Sequence, residues 1–199
     1  MLFRVEGLHI LSMHRGKKSM IQHKTKCNGV VNVPSQVEQH LNAHPNVVEH
    51  LSAAIGKIRL PTSQKKFECE IEMDRIIGRA GIVKTGPLQI GERALFSLRA
   101  NRKLPSRVAN VGKLGEETSR IVVVARPSLI ENQYDLITAW IGTLARKEPW
   151  DRNISGRREF ENCVNFWCCS ALVYDPALMG PVFESSWRDI LSLGKSRFL

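Results

Sequence analysis

The sequence predicts an α+β fold, in which helices precede a central twisted antiparallel sheet of about four to five strands and further helices close the domain. Three patterns lead to this prediction. Apolar residues recur at helical spacing between residues 34 and 60, alternate with polar residues in several segments of residues 66–142, and return to helical spacing after residue 159. Helical and extended segments that are separated along the chain in this way are typical of α+β proteins.

The length of 199 residues and the hydrophobic fraction of 43% are sufficient for one substantial hydrophobic core. We therefore expect a single α+β domain over residues 34–199. Residues 1–33 contain six basic side chains and one acidic side chain, a net charge of +5. This composition is typical of a mobile basic arm, of a plain surface loop or of an N-terminal extension.

The first helices are predicted over residues 34–43 and 46–60. Pro34 suits the first turn of a helix, Pro45 separates the two segments, and Pro61 ends the second one. Val47, Leu51 and Ile55 recur at intervals of four residues, so they form an apolar stripe that faces the core.

Strands follow, and the clearest of them are predicted from alternation. In residues 66–73, Phe67, Cys69, Ile71 and Met73 share one face, whereas Glu68, Glu70 and Glu72 share the other. Further strands are predicted over residues 82–85, 94–100, 120–126 and 134–142. The last two are joined by a short segment that contains Pro127 and Asn132, which predicts a hairpin.

The strand over residues 134–142 carries the most informative side chains of the chain. Strict alternation places Ile137, Ala139 and Ile141 on a core face, and it places Leu136, Thr138 and Trp140 on a second face. A hydroxyl beside a large aromatic ring on the second face is a hint of a binding site. Two closing helices are predicted over residues 159–172 and 184–193.

The chain is strongly basic, with a net charge of +10 and a pI of about 9.7. Such a charge favours an anionic partner, although a solvated basic surface gives the same composition. No apolar run approaches the roughly 20 residues of a membrane helix, so we expect no membrane association. The five cysteines are odd in number and irregular in spacing, which indicates reduced thiols and a cytoplasmic protein.

Histidines are the first candidates for chemistry. His40 and His44 have the i, i+4 spacing of paired zinc ligands, but Pro45 interrupts the helix beside them and no His-Glu-x-x-His motif is present. We therefore expect no metal and no cofactor. His44 or His50 could instead act as a general acid or base, since histidine titrates near neutral pH. The alternative is histidines on a helix surface.

Two further groups resemble sites only in part. Glu68, Glu70 and Glu72 could hold a metal or supply a base, but a solvated or ion-paired strand face is the more common arrangement. Gly81 and Gly86 have the spacing of a phosphate loop. A phosphate loop needs a lysine with a free amide directly after the second glycine, but here Pro87 follows Gly86. We therefore reject a nucleotide site and keep Lys84 as a candidate for a single phosphate contact.

A set of cations is interleaved with the predicted sheet and could bind phosphates while Trp140 stacks a base, as in proteins that bind single-stranded RNA. Within this set we expect Arg107 and Arg126 to contact the substrate. The alternative is ordinary surface charge. The set is Arg99, Arg102, Lys103, Arg107, Arg120 and Arg126.

The segment from residue 44 to residue 151 resembles the barnase/EndoU/colicin/RelE-like ribonuclease toxins. The resemblance lies in histidine-bearing helices before a sheet, the late strand Leu136-Ile-Thr-Ala-Trp140 and the turn Glu148-Pro-Trp150. It implies metal-independent cleavage of RNA and a neutralising antitoxin. On this resemblance His44 or His50 corresponds to the helix histidine, Thr138 to the late-strand hydroxyl, and Lys84 or Arg107 to the phosphate-binding cation.

The leading functional prediction is therefore a toxin-like ribonuclease that needs no metal. In it, His44 or His50 moves protons, Lys84 and Arg107 stabilise the phosphorane, Thr138 positions an oxygen and Trp140 stacks a base. The expected partners are RNA or another nucleic acid and an acidic antitoxin- or immunity-type protein. The oligomeric state is left open.

Two alternatives belong to other classes. One is a non-catalytic basic module that binds a nucleic acid or an acidic protein, which predicts salt-dependent binding without turnover. The other is a metal-dependent nuclease that uses Glu68, Glu70 and Glu72 with a histidine, which predicts that EDTA abolishes its activity.

Overall fold

A computed structural model describes residues 20–42, 46–61, 65–99, 102–109, 115–194 and 198. Within these residues the chain forms twelve strands and four helices, which we number in chain order. The combination of sheets and helices confirms the α+β class. Two hydrophobic clusters organise the structure, one beneath a five-stranded sheet and one among smaller sheets and the last two helices.

The five-stranded sheet has the strand order β1-β2-β10-β9-β3. Strands β9 and β10 pair antiparallel, which confirms the predicted hairpin. Strand β10 pairs in parallel with β2, so the sheet is mixed and the expectation of a purely antiparallel sheet was wrong. The bounds are β1 (Ile21–Lys24), β2 (Val30–Val33), β3 (Phe67–Glu72), β9 (Arg120–Pro127) and β10 (Gln133–Ile141).

Strands β1 and β2 lie in the segment for which the sequence predicted a basic arm. Val31 and Val33 of β2 are buried in the core, and β-branched residues fit the half-buried surface of a sheet. The basic composition of the segment concealed this short apolar run. Residues 21–24 and 30–33 of the predicted arm over residues 1–33 are therefore part of the sheet, whereas residues 1–19 lie outside the described residues.

Helices α1 (Ser35–Leu41) and α2 (Val47–Lys57) pack on one side of the sheet, which we call its inner face. Both are shorter than predicted but begin within one residue of the predicted starts. Val47, Leu51 and Ile55 of α2 are buried, as their spacing predicted. They pack with inward-facing residues of β3, β9 and β10, which include Ile71, Ile121, Val123, Ala125, Leu136, Ala139 and Ile141.

A β-bulge in β10 changes the faces that strict alternation predicted. Leu136 pairs with Ala125 and Thr138 pairs with Val124, so Ile137 is an extra residue without a partner on β9. The bulge places Leu136 in the core, at 2% exposure, and leaves Ile137 38% exposed on the opposite, outer face. The predicted core position of Ile137 was therefore wrong, because a one-residue insertion reverses the alternation that precedes it.

Two of the three smaller sheets and the last two helices contribute residues to the second hydrophobic cluster. Its largest fully buried members are Phe96 and Trp187, whose rings meet edge to face at 5.4 Å. The helices are α3 (Arg157–Cys168) and α4 (Trp187–Leu193). The sheets pair β4 (Gly78–Arg79) with β8 (Glu117–Thr118), β5 (Ile82–Lys84) with β11 (Ser170–Leu172), and β6 (Arg93–Ser97) with both β7 (Ser106–Arg107) and β12 (Phe183–Ser186).

The closing helices are shorter than the sequence predicted. Residues 170–172, expected in the first of them, form β11, which pairs with β5. The second starts only at Trp187, because the Ser186 side chain accepts a hydrogen bond from the amide of Asp189 at 3.2 Å and so caps the helix. At the end of the first closing helix and the start of the second, residues of helical periodicity form strands because they pair with β5 and β6.

Candidate functional site

Three of the predicted site residues lie on the outer face of the five-stranded sheet, spread along β9 and β10. Thr138 and Trp140 of β10 are half-buried there, and Arg126 of β9 is exposed on the same face. The Trp140 indole nitrogen donates to the carbonyl of Thr143 at 3.1 Å, which fixes the ring. The register places Trp140 beside Val122, whose side chain is fully buried.

His50 lies on the other side of the sheet. It belongs to α2 on the inner face and is 8% exposed, at the edge of a shallow, open depression of about 400 Å³. Its Nε2 atom is 3.9 Å from the Glu49 carboxylate, beyond hydrogen-bond distance. The depression is lined by Asn46, Glu49, His50, Arg75, Ile76, Ile77 and Gly78.

The predicted catalytic group does not converge in the described part of the chain. A general base must approach its proton to about 2.6–3.2 Å, directly or through one water. The sheet itself separates His50 from Thr138, because the two side chains belong to opposite faces. Lys84 lies in the two-stranded β5–β11 sheet rather than beside Thr138. His44 lies outside the described residues, as does the side chain of His40.

Arg107 binds the protein's own backbone. Its Nη1 atom donates to the carbonyls of Trp167 at 2.7 Å, Cys168 at 2.8 Å and Ser170 at 3.5 Å, and the residue is 8% exposed. Burial lowers the pKa of its guanidinium from the ordinary value. The geometry gives Arg107 a structural role at the end of α3, and the predicted phosphate contact would require breaking these bonds.

Other members of the predicted cation set are also occupied. Arg99 donates to Ser106 Oγ at 3.0 Å and to Glu148 at 3.1 Å, and Ser106 in turn donates to Glu148. Arg120 donates to both Glu70 and Glu72 at 2.9 Å. Arg102, Lys103 and Arg126 remain exposed, so roughly half of the set is free to meet a partner.

The carboxylates of β3 share the outer face, as the alternation predicted. Glu68 pairs with Lys66 at 2.8 Å, and Glu70 accepts hydrogen bonds from Arg120 and from the amide of Leu144. The Ser119 hydroxyl, and then Arg120, hold the pKa of Glu72 below its usual range. These partners describe an ion-paired strand face. Among the described residues, no three His, Cys, Asp or Glu side chains gather as metal ligands.

A surface that the sequence did not single out lies where β2 and β10 begin. We call it the basic end. It consists of exposed cations from four separate segments, none of which is ion-paired with another described residue: Lys24, Lys26, Arg59, Lys65 and Arg126. The acids nearest to it in the chain or in the register are Glu68, Glu131 and Asp135. Glu68 is paired with Lys66, and Asp135 accepts a hydrogen bond from Asn32.

Backbone contacts hold the parts of the basic end together. The amide of Lys26 donates to the carbonyl of Ile58 at 3.1 Å, which brings the β1–β2 turn next to Arg59. The amide of Val30 donates to the carbonyl of Asn132 at 3.1 Å, which joins that turn to the β9–β10 hairpin. Gly29 lies close to both neighbours, because a Cβ there would lie 3.2 Å from the Asn132 carbonyl oxygen and 2.0 Å from Leu60 Cδ1.

One sequence signal could have indicated the basic end. Each of its cations lies at or within two residues of the end of a helix or strand, at β1, α2, β3 or β9. Which strand ends meet depends on the strand order, however, and the sequence alone left that order undetermined.

Comparison of the chain with protein-family models, with curated proteins and with solved structures finds no match. The resemblance to the barnase/EndoU/colicin/RelE-like toxins therefore stays a prediction. No helix in the described part of the chain has the length and apolar character needed to cross a membrane.

Proposed function

We propose that this protein is a non-catalytic binding module that docks a polyanionic partner on its basic end. The observation that carries the proposal is the convergence of five cations on one end of the sheet without acidic partners among the described residues. Several other exposed cations are ion-paired, as Lys57 is with Asp74 and Arg79 with Glu117, and the remaining unpaired ones of the described residues do not gather at one end of the five-stranded sheet.

The spacing of these cations suits an extended ligand better than a small one. Lys24 on β1 and Arg126 on β9 are three strand intervals apart, which corresponds to about 14 Å across the sheet. The lysines of the basic end have long flexible side chains, which can follow an extended ligand. Such a surface binds a series of phosphates or carboxylates by charge and gives strong dependence on salt.

Among the described residues no acid–base group converges on Thr138, and this arrangement favours binding over turnover. Thr138 and Trp140 share the outer face with Arg126, but His50, the described histidine of the predicted mechanism, belongs to a helix on the inner face. The ribonuclease hypothesis would need His44 or another group to supply the proton transfer.

The test uses single-stranded RNA as a probe of the basic end. Fluorescence anisotropy of a labelled RNA oligonucleotide is measured with the wild type, with Lys24→Gln/Lys26→Gln/Arg126→Gln, and with a matched control variant. The control, Arg152→Gln/Arg158→Gln/Arg188→Gln, removes three exposed, unpaired cations from outside the five-stranded sheet. We expect the basic-end variant to bind at least about tenfold more weakly, since each phosphate contact contributes independently, and the control to bind nearly as the wild type does.

The same samples, kept in EDTA and run on a denaturing gel, test for catalysis. We expect the RNA to stay intact. Binding that is equal in the two triple variants would contradict the proposal. RNA cleavage in EDTA that is lost in His50→Ala would instead support the hypothesis of a metal-independent ribonuclease.

A further inference from the structure

The tip of the β9–β10 hairpin presents two aliphatic side chains beside the basic end. Leu129 is 106% exposed, so it touches almost nothing, and Ile130 is 57% exposed. The turn itself is well formed. The amide of Ser128 donates to the carbonyl of Gln133 at 2.9 Å, and the amide of Gln133 donates to the carbonyl of Ile130 at 3.2 Å. Asn132 adopts a left-handed φ of 57°.

The tip and the cations point toward the same end of the molecule. Arg126 lies one residue before Pro127, at the base of the hairpin. Lys24 pairs with Val30, and Val30 pairs with Gln133 at the other base of the hairpin. The hairpin therefore projects from the end of the sheet that the cations surround, and an apolar tip stands within a basic border.

We infer that the partner of the basic end is an anionic lipid surface, into which Leu129 and Ile130 insert while the cations contact the headgroups. This peripheral contact departs from the expectation of no membrane association, which rested only on the lack of an apolar segment long enough to span a membrane. The inference rests on the function proposed above and names the class of its partner. Aliphatic side chains gain free energy when they leave water for the acyl boundary, and lysines and arginines near an anionic leaflet add electrostatic attraction.

Two other polyanions fit the tip less well. RNA would leave Leu129 and Ile130 in water, because bases stack on aromatic rings or guanidinium planes and residues 128–132 contain neither. Protein interfaces are anchored mainly by tryptophan, tyrosine and arginine, and the turn has none of these. A fluid apolar layer needs no matching pocket, and a two-residue aliphatic tip suits it.

One acidic residue of the turn is expected to weaken binding to an anionic lipid surface. Glu131 is exposed in the same turn, next to Ile130. An anionic leaflet would repel its carboxylate, so Glu131→Gln should strengthen binding to anionic vesicles. The variant, like the wild type, should not bind neutral vesicles.

The experiment measures co-sedimentation of the full chain with vesicles. One set is phosphatidylcholine alone, and the other contains about 30 mol% phosphatidylserine, enough to give a substantial negative surface potential. The variants are Leu129→Ser/Ile130→Ser, the Lys24→Gln/Lys26→Gln/Arg126→Gln variant, and a control, Ile76→Ser/Leu193→Ser. The control removes two aliphatic side chains of 60% and 64% exposure that lie elsewhere. Binding of each variant to the labelled RNA is measured in parallel.

We expect the wild type and the control to bind only the phosphatidylserine vesicles. Leu129→Ser/Ile130→Ser should lose at least about tenfold in vesicle binding, as expected when two aliphatic side chains no longer leave water. It should retain wild-type RNA binding, whereas the cation variant loses both. Vesicle binding that the tip variant leaves unchanged overturns the inference, as does RNA binding without vesicle binding, and both results leave the basic-end proposal standing. A wild type that binds neither probe overturns both proposals.

Discussion

At the scale of single residues, Arg107 explains how an apparent binding cation can be structural. Helix α3 has no basic residue in its last turn, so its terminal carbonyls lack a cation from their own helix. Arg107 of β7 supplies one from outside and donates to three carbonyls at or just beyond that end. Charge counted from the sequence could not distinguish this buried guanidinium from an exposed one.

Replacing Arg107 by leucine therefore tests a structural role. Arg107→Leu should lower the free energy of unfolding by about 2–3 kcal/mol, because it removes charge-assisted hydrogen bonds and leaves buried carbonyls without donors. Arg102→Leu, at an exposed position in the same segment, is the matched control and should change stability by less than about 0.5 kcal/mol. Urea denaturation measures both. If the Arg107→Leu protein is fully stable but binds RNA more weakly, Arg107 contacts the partner rather than stabilising the fold.

At the scale of elements, the bulge in β10 decides which side chains form the core. The sequence pattern Leu136-Ile137 gives no sign of which aliphatic residue is inserted, since both suit a strand. In the structure the partners on β9 decide it, because Ala125 pairs with Leu136 and Val124 pairs with Thr138. The alternation of Thr138, Ala139 and Trp140 beyond the bulge agrees with the sequence prediction.

Alanine substitutions at the two neighbouring positions test the bulge. Leu136→Ala should cost about 2–5 kcal/mol of unfolding free energy, as for a buried leucine, since Leu136 is 2% exposed. Ile137→Ala should cost about 1 kcal/mol or less, because that side chain is largely in solvent. Equilibrium denaturation of both variants gives the comparison. The opposite order of stability would mean that β10 alternates without a bulge.

The first turn of α3 provides a pH-dependent element. Glu159 accepts hydrogen bonds from Lys147 at 2.7 Å and from the amide and hydroxyl of Ser155 at 2.7 and 2.6 Å. Lys147 first, and then Ser155, lower the pKa of Glu159 to about 2. The carboxylate thus joins the loop before α3 to the helix start, near its positive dipole end.

Because the pKa of Glu159 is lower in the folded state than in the unfolded state, its contribution is complete above the unfolded value and is lost as the pH falls toward 2. Glu159→Gln should therefore be less stable than the wild type at neutral pH. The difference between the two urea midpoints should shrink as the pH falls from about 5 toward about 2. A difference that is constant over this range would indicate that the carboxylate has no role at the helix start.

At the scale of the whole molecule, local periodicity determined what could be predicted. The alternation in β3 placed its glutamates on one face, and the residues between Arg126 and Tyr134 indicated a hairpin, because both features depend only on neighbouring residues. The parallel pairing of β2 with β10 joins residues about a hundred positions apart, and no local pattern encodes it. The basic end depends on that pairing, so its assembly could not be predicted either.

The basic end carries part of the overall charge of +10. Residues 1–33 account for +5 of it, and Lys24 and Lys26 belong to that segment as well as to the basic end. Arg120 is offset by Glu70 and Glu72 on the outer face, which leaves that part of the sheet close to neutral. On the function proposed here, we expect a partner attracted by charge to bind at the basic end rather than across Thr138 and Trp140.

The dependence of RNA affinity on salt reports how many cations of the basic end contact the polyanion. For five phosphate contacts on a single strand, the logarithm of the association constant should fall with the logarithm of KCl concentration with a slope of about −3.5. For Lys24→Gln/Lys26→Gln/Arg126→Gln the slope should be about −1.4, while the control variant keeps the wild-type slope. A slope that is the same in the basic-end variant and the wild type would show that the polyanion binds elsewhere on the protein and not at the basic end.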